Sequence, residues 1–153
     1  MSYEIRDITK QDCAKFQSTL READRQEVLA ASGLEPEEAL LDAVGDDFAK
    51  VITIGGKLTL AFGVAPVSDM LGAVWMLSST ALDDRRTAWI VARHSRYWVD
   101  HMNDMYPVLF NYTDCRNDLH HRFLRYHGFN FINKHNIGKN GEPFYEIVRI
   151  RNV

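Results

Sequence analysis

The chain has 153 residues, 46% apolar and 25% charged, with a formal charge of −3 and a sequence pI of about 6.0. That is enough apolar material for one full core, read as one domain over residues 1–153, while the acidic balance sets the whole-molecule field against nucleic acid and anionic membranes. The longest apolar runs, Leu58 to Val64 and Ala73 to Leu77, fall far short of the roughly 20 residues of a membrane span; Met1 to Asp7 lacks the pattern of a secretory leader, and Cys13 and Cys115 have no ligand or redox spacing, so the reading is a cytoplasmic protein with reduced thiols.

Tyr3 to Ile8 alternates as an opening strand. Thr9 followed by Asp12 predicts a helix N-cap, and the spacing of Cys13, Phe16, Leu20 and Ala23 carries that helix from about Lys10 to a break at Gly33. Pro36 fits the first turn of a second helix that runs to about Val44 and stops at Gly45. Phe48 to Ile54 and Leu58 to Val64, joined by Gly55-Gly56, read as a hairpin. Pro66 to Leu71 is loop, and the continuous apolar run Gly72 to Ser78 reads as a central strand buried on both faces. A long helix is predicted from about Asp83 to Met105, with Ala88, Val91, Ala92, Ser95, Val99 and Met102 as its buried stripe. A strand Val108 to Tyr112, a short helix at 117–127, and a closing hairpin of Phe129 to Ile137 and Phe144 to Ile150 complete the chain. The sum is an α+β domain with one mixed, mostly antiparallel sheet of about seven strands flanked by about four helices.

The stretch from Asn117 to Phe129 is the most specific: Asn117 offers a capping oxygen, Leu119, Phe123 and Leu124 form an apolar stripe, and Gly128 supplies a left-handed stop. An Asn, a residue three on, an apolar residue six on, and Gly-Phe eleven and twelve on resemble the last helix and following strand of the GCN5-related N-acetyltransferase (GNAT) superfamily. The order of elements resembles that superfamily over nearly the whole chain.

The resemblance implies acetyl-CoA as cofactor, its pyrophosphate held by backbone N–H groups of a Gly-rich loop at the start of the long helix. Carried onto this chain, it puts the cofactor against Leu77, Ser79, Arg85, Arg86, Thr87, Asn117 and His120. The segment from Ser79 to Ala88 departs from the pattern, since it has no glycine and Ala88 stands where the first is expected; a Cβ there obstructs approach of backbone to phosphate. Asp83 and Asp84 already complement the helix dipole and would repel a diphosphate, so the simplest reading is an aspartate N-cap with Arg85 and Arg86 in a solvated first turn. Where the family often has a tyrosine acid, this chain has Leu124, and Tyr126 points about 200° away. Asp69 and Ser78 are the candidates left for catalysis, Asp69 reading more simply as a turn residue. His120 packs against the cofactor groove or fills it. The six histidines show no i, i+4 pair with a completing ligand, so no metal is expected.

Within the superfamily, Leu109-Phe110-Asn111-Tyr112, Asn117, His120, Arg122-Phe123-Leu124 and Gly128 resemble small proteins of short-tailed bacteriophages, some named as internal virion or assembly proteins. The resemblance implies a phage-encoded protein with a degenerate acyl-CoA site, acting on phage or host protein in the host cytoplasm or the virion. The alternative is a working enzyme that transfers acetyl from acetyl-CoA to an amine by direct attack, with water replacing the missing tyrosine. A third reading, nucleic-acid binding through Arg85, Arg86, Arg93 and Arg96, has the net charge against it.

Overall fold

The computed structural model describes residues 2–152. Along the chain come β1 (Tyr3–Asp7), α1 (Lys10–Thr19), α2 (Glu22–Ser32), α3 (Pro36–Leu41), β2 (Ala49–Ile54), β3 (Lys57–Pro66), β4 (Leu71–Ser78), a 3-10 turn (Thr80–Asp83), α4 (Arg85–Met105), β5 (Val108–Asp114), α5 (Asp118–Tyr126), β6 (Asn130–His135) and β7 (Phe144–Ile150). The strands form one seven-stranded sheet in the order β1-β2-β3-β4-β5-β7-β6. Every pairing is antiparallel except β4 with β5. This is the α+β architecture expected from the sequence.

Local chemistry explains the elements that matched. Thr9 and Asp12 form a reciprocal capping box on α1, with Asp12 N donating to Thr9 Oγ1 at 3.2 Å and Thr9 N donating to Asp12 Oδ2 at 2.8 Å. Gly55 and Gly56 both take left-handed φ, 58° and 80°, the requirement of the tight turn between β2 and β3.

The single helix read from Lys10 to Gly33 is instead two. Leu20 and Arg21 are extended, each with ψ of 143°, because Leu20 bridges to Ser79 and the Arg21 N–H donates to Ser78 O at 3.0 Å. A tertiary pairing therefore overrides good local helix propensity. α3 also stops at Leu41, short of the expected Val44, and β6 occupies Asn130–His135 within the longer run expected from Phe129 to Ile137.

Two apolar layers cover the sheet. On one face α4 and α5 bury Val91, Val99, Met102 and Leu124 against Phe62, Leu109 and Ile147; on the other, α1 to α3 bury Phe16, Val28 and Leu40 against Val51, Ala61 and Leu77. Each of these larger side chains contributes about 1.5–3 kcal/mol by leaving water.

The feature that positions the site is a parting of the sheet. β4 pairs with β5 only from Leu71 to Ala73, against Val108 to Phe110. Beyond that point β4 stays with β3 as far as Ser78 and β5 stays with β7 as far as Asp114, leaving a V-shaped gap between them. The Asn111 side chain stands in the crotch, donating to Val74 O at 2.7 Å in place of a strand neighbour. β4 was expected to be buried on both faces; Ala73 to Met76 are only partly covered because they border this gap.

Candidate functional site

A cavity of about 450 Å³ occupies the gap and reaches both faces of the sheet, touching Glu27 and Ala43 on one side, Val74, Met76 and Thr113 at the parting, and Ser95, His120 and Phe123 on the other. Strand alternation turns the N–H and C=O of Val74, Met76 and Ser78 toward this gap. Val74 O is taken by Asn111. The Ser78 N–H donates to Asp24 Oδ2 at 2.5 Å, and Ser78 O accepts from Arg21 N. Pairing with β5 having ended at Ala73, the Met76 rung faces the cavity.

The apex of the gap is closed by an ionic cluster. Asp24 and Glu27 lie three residues apart on one face of α2 and point at α5. Asp24 is fully buried, and its Oδ2 also accepts from Ser78 Oγ at 2.7 Å and contacts His120 Nε2 at 2.9 Å, while Oδ1 accepts from Arg21 Nη1 at 2.9 Å and Asn117 Nδ2 at 3.1 Å. Glu27 Oε1 accepts from the Asp114 N–H at 2.9 Å and from Thr113 Oγ1 at 3.2 Å, and Oε2 lies 3.5 Å from His120 Nδ1. Burial alone would push the His120 imidazole down; the two carboxylates outweigh it and drive it up to about 10. Burial likewise opposes ionisation of Asp24, but the His120 charge and the Ser78 hydrogen bonds hold its carboxyl below the usual range. Arg21 and His120 thus balance Asp24 and Glu27, a group of four charges in which Asp24 and His120 are fully buried and Arg21 and Glu27 partly covered.

The residues singled out from sequence divide between this cluster and other places. Asn117 does not cap α5: its side chain turns inward to Asp24 and Glu27, and α5 starts without a side-chain cap. His120 fills the gap's apex and is 1% exposed. Ser78 is buried as a donor to Asp24, and Ser79 is spent locally, accepting from Ala81 N and donating to Leu58 O. Leu77 packs in the layer under α1 to α3. Asp69 sits in the turn between β3 and β4, at the opposite end of β4 from Ser78. Arg85 and Arg86 are exposed at the start of α4, where Asp84 is the cap: its Oδ2 accepts from Thr87 N and Thr87 Oγ1, both at 2.9 Å. Asp83 faces Arg21 at 3.1 Å. Leu124 is core, and Tyr126 stands outside against Trp89. His94 stacks on Tyr3 and His101 packs on Trp98, both as aromatic side chains. Among the described residues no group of three or more histidine, cysteine, aspartate or glutamate side chains is arranged to hold a metal.

Sequence reading missed Arg21, Asp24 and Glu27. The available signal was register: Asp24 and Glu27 share an α2 stripe with the buried Val28.

Chemically, the cluster offers a carboxylate of suppressed basicity and a serine with no approach to it. Among the described residues the ionisable groups lining the cavity are Glu27, Asp42, Asp46, Tyr112 and His120, and of these Glu27 and His120 belong to the cluster. The helix N-terminus that could bind an anion is already complemented by the protein's own Asp84.

No protein-family model matches the chain, and no curated protein sequence matches it. Solved structures do. Ard1 from Thermoplasma volcanium aligns over 100% of both chains with a TM-score of 0.72 at 14% identity. The ribosomal-protein-S18-alanine N-acetyltransferase from Escherichia coli aligns over 99% of this chain and 96% of its own with a TM-score of 0.65 at 13% identity. An aminoglycoside acetyltransferase in complex with coenzyme A aligns over 98% and 95%, with a TM-score of 0.65 at 13% identity. At such identities the likeness speaks to fold: this chain has the fold of the GNAT acetyltransferases.

Proposed function

We propose that the chain is a single-domain, phage-encoded protein of GNAT fold whose acyl-CoA groove is closed by its own side chains, and that it acts through contacts with phage or host protein in virion assembly or in the infected cell. The observation that carries this reading is the double occupancy of the groove's polar groups. Asp84 complements the start of α4, and Asp24 with Arg21 takes up the Ser78 rung at the open edge of β4. A thioester cofactor would have to displace an exposed capping carboxylate from one and the Arg21–Asp24 ion pair, with its fully buried carboxylate, from the other. The absence of glycine from 79–88 and the burial of Leu124 where a tyrosine acid would stand support the same reading. The phage assignment rests on the sequence resemblance around Asn117 and His120.

A second reading is favoured by the cavity itself, which leaves the Met76 rung and Glu27 available beside open space. In that reading the protein transfers acetyl from acetyl-CoA to an amine, Arg85 and Arg86 meet the pyrophosphate, and Glu27 takes the amine proton.

Thermal melting with millimolar acetyl-CoA separates the two. A ligand at a hundred times its dissociation constant stabilises by about 2.7 kcal/mol, which raises the melting temperature by roughly 5–10 °C in a domain of this size. The expected result is no rise. A rise that Arg85→Ala removes would overturn the closed-groove reading.

A further inference from the structure

The exposed face shared by α4 and α5 has a composition unlike the rest of the molecule. The two helices carry six arginines, Arg85, Arg86, Arg93, Arg96, Arg122 and Arg125, and no lysine. All six are exposed, and among the described residues none is in an ion pair with a carboxylate. Of the acids on or beside the two helices, Asp83 pairs with Arg21 and Asp100 with Arg149, Asp84 caps α4 through Thr87 beside Arg86, and Asp104 and Asp118 are exposed away from the α4 stripe, at the end of α4 and the start of α5. Between the guanidinium groups stand two aromatic rings. Trp89 is 55% exposed and meets Tyr126, 36% exposed, at 6.0 Å, and the Arg96 guanidinium lies 5.5 Å from the Tyr126 ring. Arg85, Trp89, Arg93 and Arg96 fall within about 80° of one another around α4, so they form a stripe, with successive turns about 5.4 Å apart.

The net charge of −3 does not describe the field at this stripe. Glu35, Glu37, Glu38, Asp42 and Asp46 belong to α3 and its flanks, which pack on the other face of the sheet. Screening confines each set of charges to about 10 Å or less. An anion approaching α4 and α5 therefore meets arginine.

We propose that this face binds single-stranded nucleic acid without sequence preference. Guanidinium forks pair with phosphate oxygens, and an exposed indole between them offers a platform on which an unpaired base stacks. The aromatic component decides between this partner and an acidic protein segment, whose carboxylates would engage the arginines and leave Trp89 facing water. The unpaired state of the strand follows from the same ring, because bases within a duplex are already stacked.

The test is fluorescence anisotropy of a labelled 20-nucleotide deoxythymidine strand titrated with the full chain at low and moderate salt. Binding is expected, with a log-affinity against log-salt slope of roughly −3 for four phosphate contacts. Trp89→Ala is expected to weaken binding by about tenfold and Trp89→Phe to restore most of it. Arg93→Glu with Arg96→Glu is expected to weaken it by at least about tenfold, with the circular dichroism unchanged. Absence of binding at low salt, equal affinity for a duplex of the same length, or displacement of the strand by polyglutamate at equal charge would each overturn the proposal. The outcome is independent of the acetyl-CoA melt, because Arg93 and Arg96 lie two and three turns beyond the start of α4.

Discussion

His120 and His127 are both buried histidines on or beside α5, and their surroundings drive them in opposite directions. Asp24 and Glu27 drive His120 up to about 10. Burial, with Arg96 and Arg149 nearby, drives His127 down to about 4. Ser95 Oγ lies 3.1 Å from both Ala92 O and His127 Nε2; a hydroxyl that donates to the carbonyl accepts from Nε2–H, which leaves Nδ1 bare and without a partner. The signs of the two linkages differ. Between pH 6.5 and about 10 the folded protein holds a proton on His120 that the unfolded chain has released, so stability falls as pH rises. Between pH 6.5 and about 4 the unfolded chain binds a proton that His127 refuses, so stability falls as pH drops. Urea midpoints measured across pH are expected to peak near neutrality, with His127→Phe flattening the acid side alone. A midpoint that does not change between pH 7 and 10 would contradict the buried imidazolium. Asp24→Ala leaves the buried His120 with Glu27 alone and Arg21 with the exposed Asp83, and is expected to cost about 3–5 kcal/mol in the same denaturation experiment.

At the scale of elements, α4 depends on a cap rather than on a glycine loop. Asp84→Ala is expected to lower the melting temperature, and Asp84→Ser, which keeps a capping oxygen, to lower it by less, both read from thermal unfolding. In β4 the two inward rungs should differ in amide exchange. The Ser78 N–H is bonded to a buried carboxylate and is expected to exchange slowly, whereas the Met76 N–H faces the cavity and is expected to exchange by orders of magnitude faster. Equal protection would mean that the gap is not open. The elements that could be read from sequence are those whose cause is local. Thr9 with Asp12, Gly55-Gly56 and Gly128 each carry their own geometric reason within a few residues. The break at Leu20–Arg21 could not be read, because its cause is Ser78 and Ser79, distant in sequence. Asn117 was misread for the same reason: its local role as a cap loses to carboxylates on α2. His120 was singled out by motif spacing, while its partners Asp24 and Glu27 were not, since their register with the buried Val28 shows only once the helix is known to break at Leu20–Arg21.

Across the whole molecule, the sheet's parting sets where everything else can act. It brings α2 and α5 together at the apex, leaves a cavity behind them, and keeps the acidic helices on one side and the arginine stripe on the other. The link that closes this arrangement joins Asp24 to His120 across 96 residues of chain. A polypeptide emerging from the ribosome has made α1 to α3 and most of the sheet long before it has made α5. Until then Asp24 and Glu27 have no imidazole to face, and docking α2 would bury Asp24 with Arg21 and Ser78 as its remaining partners, which disfavours it. Assembly of the N-terminal half is thereby timed by the C-terminal third, and a nascent chain stalled before Asn117 should remain open to proteases and chaperones however complete its strands look.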